Sequence, residues 1–195
     1  MNNKYFFISK PRCASTFIFE GLTNWNDKKN GSKPFYHLTA SEMKKRKPQY
    51  NKSFSFAVIR NPYDLVCSWY YEHRKDKYEV STKNIYSVSL DDWINSGCPT
   101  HWKHLDFNPL HQYKWVYDKD NRLLVSYLFK MENFNDGIEN VYKKVKPFLN
   151  NDITLDTIKL NRKNESLEEK NLNSNQKEKI YNIFKKDFIM FNYEK

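Results

Sequence analysis

Two cationic stretches carry the residue types that hold anions. The first, Lys10-Pro11-Arg12-Cys13-Ala14-Ser15-Thr16, sets two full positive charges beside hydroxyl donors. The second, Arg60-Asn61-Pro62, places a guanidinium eight residues ahead of Ser68. A guanidinium is a planar fork of donors suited to a phosphate, and hydroxyls at a helix start add to backbone N–H groups that have no intrahelical partner. The first stretch therefore reads as a cradle for a phosphate-like group, in which small Ala14 lets the backbone approach. The second reads as a separate anion pocket, so that the two together suit two anionic groups of one ligand. The usual nucleoside triphosphate signature is absent, because the loop has neither the glycines nor the terminal Gly-Lys-Ser/Thr.

Both stretches need a strand before them and a helix after them. Tyr5 to Ile8 reads as a strand, Ser9 to Ala14 as its exit turn, and Ser15 and Thr16 open a helix whose N-terminus favours negative charge. Phe54 to Ile59 is a buried-strand pattern; Asn61 can cap and Pro62 suits the first helical position. A helix over 62–74 then carries Ser68 back along one face, just over two turns from Arg60. In open α/β sheets ligands bind outside the carboxyl ends of the strands, where both loops fall.

The remaining pattern fills in an alternating chain. Thr39-Ala40-Ser41-Glu42 is a capping box that starts a helix running to Lys47, and residues 76–89 read as a polar loop over the site. Ser89 to Asp92 starts a short helix ended by Gly97. Leu123 to Phe129 reads as a strand, Asn135 to Phe148 as a helix, 150–173 as a polar connection and Ser174 to Met190 as a final helix with Ile180, Ile183, Phe184 and Asp187-Phe188 at helical spacing. Alternating strands and helices predict an α/β fold: a single three-layer domain with a mostly parallel central sheet flanked by helices.

These residues resemble those of the sulfotransferases that use 3′-phosphoadenosine 5′-phosphosulfate (PAPS), in particular the carbohydrate, sulfotransferase 2-like type with a Pro-Lys/Arg-x-x-Ser-Thr loop. Lys10 through Thr16 resembles their 5′-phosphosulfate loop, and Arg60-Asn61-Pro62-Tyr63-Asp64 through Ser68 resembles their 3′-phosphate motif. The resemblance continues through Trp93-Ile94, His101-Trp102, Lys130 to Phe134, Asn161 with Ser166, and Asp187-Phe188 to Tyr193. It implies one sulfotransferase domain over residues 1–195, with PAPS as cofactor and with Lys10, Arg12, Cys13, Ala14, Ser15, Thr16, Arg60 and Ser68 as its binding residues. The implied acceptor is a hydroxyl of a glycan or glycoconjugate.

Sulfuryl transfer needs in-line geometry, positive charge on the leaving phosphate and a base for the acceptor proton. Arg12 stands where many members of the family have a lysine. An arginine keeps its proton, so this position supplies fixed charge to the bridging oxygen rather than a proton. Lys10 is either an auxiliary cation or a solvated side chain at the strand exit. His37 is the first choice of base: an ordinary imidazole titrates near pH ~6.5, and related carbohydrate sulfotransferases resemble this chain in having a histidine between the two nucleotide motifs. A surface histidine before a helix cap is the alternative reading. Glu132 and His101 stand next, and an acidic residue at the Glu132 position can instead bind substrate or orient the site.

No metal is expected. No Asp ends the strand before Arg60, where a P-loop enzyme would hold Mg²⁺. Cys98, His101, His104 and His111 are possible zinc ligands, yet their spacing matches no common finger. Trp93, Trp102, Tyr113 and Trp115 can stack on sugar or adenine rings, or simply fill a core.

The chain of 195 residues, 39% hydrophobic and 17% aromatic, is long enough for one domain with a core. A net charge of +10 attracts polyanions without selecting among nucleic acid, an acidic glycan and the nucleotide itself. Most lysines fall in polar helical stretches and read as solvated faces. Three cysteines, Cys13, Cys67 and Cys98, form no disulfide framework, and no long apolar stretch precedes the first strand. The expectation is a cytoplasmic enzyme without a transmembrane segment and without a nucleic-acid partner. Two other classes stay open: a nucleotide or small-molecule kinase with an atypical P-loop, which would turn over ATP with Mg²⁺, and a noncatalytic basic nucleic-acid binder, whose affinity would fall steeply with salt.

Overall fold

The structure is a computed structural model and describes residues 5–22, 37–75, 84–160 and 171–195. Among these the chain forms two compact units. One holds the described residues through Ile59 and those from Trp115 to 160; the other holds Arg60–Lys114 and the residues from 171 onward.

The first unit is built on a three-stranded sheet in the order β1 (Tyr5–Ile8), β2 (Phe54–Ile59), β3 (Tyr127–Lys130), all parallel. β1 and β2 begin and end where the sequence reading places them. β2 is central and reads Phe-Ser-Phe-Ala-Val-Ile with every residue after Phe54 buried, as a parallel strand covered on both faces must be. Its one polar member, Ser55, shares its hydroxyl and N–H with Ser126. Ile8 pairs with Ala57 and Ile59 with Lys130, so the three strands finish at one edge of the sheet.

Helices flank this sheet. α1 (Ser15–Leu22) follows β1, and α2 (Ala40–Arg46) starts at the capping box read from the sequence: Thr39 Oγ1 accepts the Glu42 N–H at 3.1 Å while Glu42 Oε2 accepts the Thr39 N–H at 2.8 Å. Helix α5 (Phe134–Val145) lies on β2 and β3 through Ile138, Val141 and Val145, which recur at helical spacing and are wholly buried. Gly137 is required there: a Cβ at that position would lie 2.1 Å from the Phe129 ring.

The second unit is helical. Its members are α3 (Pro62–His73), α4 (Leu90–Asn95) and α7 (Ser174–Phe191). α3 packs on α7 through Tyr63 and Phe188, whose rings are 4.9 Å apart, and Gln176 at the start of α7 donates to Asp91 of α4 at 2.9 Å.

Several element boundaries differ from the sequence reading. β3 begins at Tyr127, because Leu123 is spent on an isolated antiparallel bridge with Tyr117. The helix after it begins at Phe134 and tightens to a 3₁₀ turn at Lys146–Phe148, where Pro147 lacks the N–H an α-turn would use. The supposed polar connection 150–173 contains a helix, α6 (Leu155–Leu160), whose Ile158 is buried against Gly21 of α1. The supposed polar loop 76–89 contributes Tyr86 to the core, fully buried and accepting a hydrogen bond from Trp69 Nε1 at 2.8 Å. Its residues 76–83, like Asn161 and Ser166, lie outside the described residues. Among the described residues no helix is long and apolar enough to cross a membrane.

Candidate functional site

The loop between β1 and α1 gains its shape from backbone hand. Arg12 and Ala14 have φ of +63° and +55° with Cys13 between them on the ordinary side. Two left-handed residues within three bend the chain sharply between β1 and α1. The left-handed region is costly for residues with a Cβ, about 1–2 kcal/mol each. Cys13 is buried within the turn, its N–H reaching the Lys10 carbonyl at 3.4 Å.

Ala14 ends the loop in the position that caps α1: its carbonyl accepts the Ile18 N–H at 2.9 Å, but it has no side-chain oxygen to offer the first turn. Ser15 is buried and Thr16 exposed at that helix start. Arg12 is half-buried. Lys10 is only 2% exposed, with Nζ donating to the Pro11 carbonyl at 3.3 Å, so its reading as a solvated side chain is overturned. The physical reason is that residues 9–11 stay buried past the end of β1, which leaves the Lys10 side chain covered.

His37 joins this loop. Its Nδ1 lies 2.7 Å from the Ser9 carbonyl, and its ring meets the edge of Trp115 at 6.4 Å. A carbonyl only accepts, so Nδ1 carries the proton and the neutral ring has its lone pair on Nε2. His37 is itself left-handed, φ +63°, one more strained residue at this place. Ser9 carried no weight in the sequence reading. Its carbonyl orients His37, and its Oγ is buried with no hydrogen-bond partner among the described residues. Glu132 is exposed in the 3₁₀ turn Met131–Asn133 that directly follows β3.

In the second unit Arg60 is half-buried at the start of its unit, directly after β2. Asn61 Oδ1 accepts the Tyr63 N–H at 2.9 Å and caps α3, with Pro62 at the first helical position as read from the sequence. Ser68 is buried on α3. Two residues the sequence reading left without a role meet here. Gln112 pairs through its side-chain amide with the Arg60 main chain, and Asp187 takes the N–H groups of Gln112 and Tyr113. A signal for Asp187 was present: a carboxylate on the apolar stripe of an amphipathic helix. Burial, and then the charge of Asp187, push the Tyr113 hydroxyl above its ordinary range.

His101 sits in an aromatic cluster of this unit. Trp69 Nε1 donates to Tyr86 Oη at 2.8 Å, and Tyr86 Oη lies 3.2 Å from His101 Nδ1. A phenolic oxygen can accept a second bond as well as donate one, so the His101 tautomer decides the direction of this contact. Burial, followed by the neighbouring His104, lowers the His101 pKa and favours the neutral form of the ring. Trp93 is wholly buried, its Nε1 donating to the Pro99 carbonyl at 2.9 Å, and Trp115 is buried as well; both fill core. Cys98 is buried too, its thiol pushed up by burial and by Cys67. Among the described residues no group of three or more His, Cys, Asp or Glu is placed to hold a metal ion.

The family model described as "Sulfotransferase family" matches residues 3–194. A search of curated proteins finds no match. The match runs from the start of β1 to the end of α7, through the cationic loop, Arg60 and the buried Asp187, and the chain therefore belongs to the sulfotransferase family, whose general chemistry is the transfer of a sulfuryl group.

Proposed function

We propose that the chain moves the sulfuryl group of PAPS to a hydroxyl of a carbohydrate, with residues 1–195 acting as one sulfotransferase domain. The observation that carries the reading is the loop from Lys10 to Thr16: a tight turn with left-handed Arg12 and Ala14 that runs into a helix start whose capping position, Ala14, offers no side-chain acceptor. In this reading it takes the 5′-phosphosulfate, with Lys10, Arg12, Cys13, Ala14, Ser15 and Thr16 around it. Arg60 and Ser68 take the 3′-phosphate. Support comes from the parallel register, since β1 and β2 finish at one edge of the sheet and each is followed at once by its cationic segment.

The acceptor hydroxyl gives its proton to Nε2 of His37 as its oxygen bonds to sulfur, and the bond from sulfur to the 5′-phosphate oxygen breaks, leaving adenosine 3′,5′-bisphosphate. Arg12 steadies the charge that grows on that phosphate. The tether from Nδ1 to Ser9 supports His37 in this role, because it fixes the tautomer a base requires. His101, held among the rings of Trp69, His73 and Tyr86, stands behind His37 in this scheme. Glu132, exposed just past β3, orients substrate in this scheme. The net charge of +10 suits an anionic ligand without selecting its class, and three free, buried cysteines fit a reducing, cytoplasmic setting.

A thermal-shift panel of adenosine 3′,5′-bisphosphate, PAPS, adenosine 5′-phosphate and ATP with Mg²⁺ tests the proposal, since a ligand that binds the native state raises its melting temperature. The bisphosphate and PAPS should raise it more than adenosine 5′-phosphate. A larger rise with ATP and Mg²⁺ would point to a kinase instead.

A further inference from the structure

Gln112 is fully buried, and its side-chain amide meets the Arg60 main chain in both senses. Oε1 accepts the Arg60 N–H at 2.9 Å and Nε2 donates to the Arg60 carbonyl at 2.7 Å. Two bonds of opposite polarity leave one way for the amide to face. They give Arg60 what a neighbouring strand would give, one residue beyond the end of β2. Gln112 is fixed in turn. Its N–H and that of Tyr113 go to the two carboxylate oxygens of Asp187, at 2.9 and 2.8 Å.

Asp187 is fully buried in α7, near Phe184 and Phe188 in sequence on the same apolar stripe. A carboxylate is expensive to bury, and an apolar side chain would fill that place at lower cost. The two N–H groups it holds offset part of that cost. Main-chain placement matters for a ligand-binding arginine because a displacement of ~1 Å can cost up to about 10²-fold in function.

Resting on the reading of Arg60 as a 3′-phosphate ligand, we propose that Gln112 and Asp187 are positioning residues that set the Arg60 backbone and thereby the preference for a nucleotide bearing a 3′-phosphate. Calorimetric titration of the full chain with adenosine 3′,5′-bisphosphate and with adenosine 5′-phosphate tests this. Gln112→Met keeps length and volume but loses both bonds to Arg60. It should weaken the bisphosphate about tenfold and leave adenosine 5′-phosphate within about twofold. In an Arg60→Ala background the same change should add no further loss, because the two act on one contact. Asp187→Asn keeps one acceptor oxygen and should give a smaller loss of the same sense; it decides the matter if Gln112→Met does not fold by circular dichroism. Equal weakening of both nucleotides, unchanged bisphosphate affinity, or a fully additive loss with Arg60→Ala overturns the positioning role. If Arg60→Ala itself fails to separate the two nucleotides, the ligand reading of Arg60 falls and this proposal with it, a result distinct from a discriminating Arg60→Ala beside an indifferent Gln112→Met.

Discussion

The helix starts that follow β1 and β2 solve the same local problem in opposite ways. At α1 the capping position is Ala14, left-handed and without a side-chain acceptor, in a loop where Arg12 is left-handed as well. At α3 the cap is Asn61, whose Oδ1 closes on the Tyr63 N–H, and the preceding Arg60 is braced through its main chain by Gln112. The first start is strained and has no side-chain cap from Ala14, which suits the proposed reading that its backbone meets an external anion. The second is satisfied within the protein, so any anion there is left to side chains. Backbone N–H groups suit a group undergoing chemistry, where donors must already be aimed; a guanidinium suits a group that only has to be held.

The comparison can be broken most severely at the residue tied to the strained loop. His37→Ala should lower the catalytic rate by about 10² to 10⁴ while adenosine 3′,5′-bisphosphate binding stays within a few fold, measured by single turnover and calorimetry. Near-normal turnover on the true acceptor would pass the base role to Glu132 or His101.

The two arginines should then part company. Arg12→Ala should reduce kcat by about 10²-fold with little change in PAPS affinity, as the loss of charge at a developing anion does. Arg60→Ala should weaken adenosine 3′,5′-bisphosphate by about 1.5–3 kcal/mol, and adenosine 5′-phosphate far less. If Arg12→Ala cost affinity as much as turnover, the loop arginine would be a binding residue like its counterpart.

Smaller effects sharpen the contrast in the protein without ligand. Asn61→Ala removes a cap and should lower stability by about 1 kcal/mol in urea denaturation. Ala14→Gly should act oppositely, raising stability by up to about 1 kcal/mol as the left-handed strain is relieved. A lowered midpoint for Ala14→Gly would show that this start carries no strain.

Much of the scaffold was legible in the chain. The apolar runs before Ser9 and Arg60, the capping box at Thr39 and the Asn61-Pro62 helix start are local signals, and each marks its element to within a residue. Where the reading failed, a distant partner decided. Tyr86 lies in a polar stretch yet is buried because Trp69 needs an acceptor, and α6 forms in a polar connection because Ile158 finds Gly21 of α1.

The sequence by itself determined which residues can hold anions and that each follows a strand and opens a helix, because these are matters of residue type and near-neighbour spacing. Tertiary structure alone decided that Lys10 is buried, that Ser9 fixes the His37 tautomer across 28 residues, and that Gln112 and Asp187 meet across 75. Burial and long-range hydrogen bonds depend on which segments the folded chain brings together, and no local pattern encodes that.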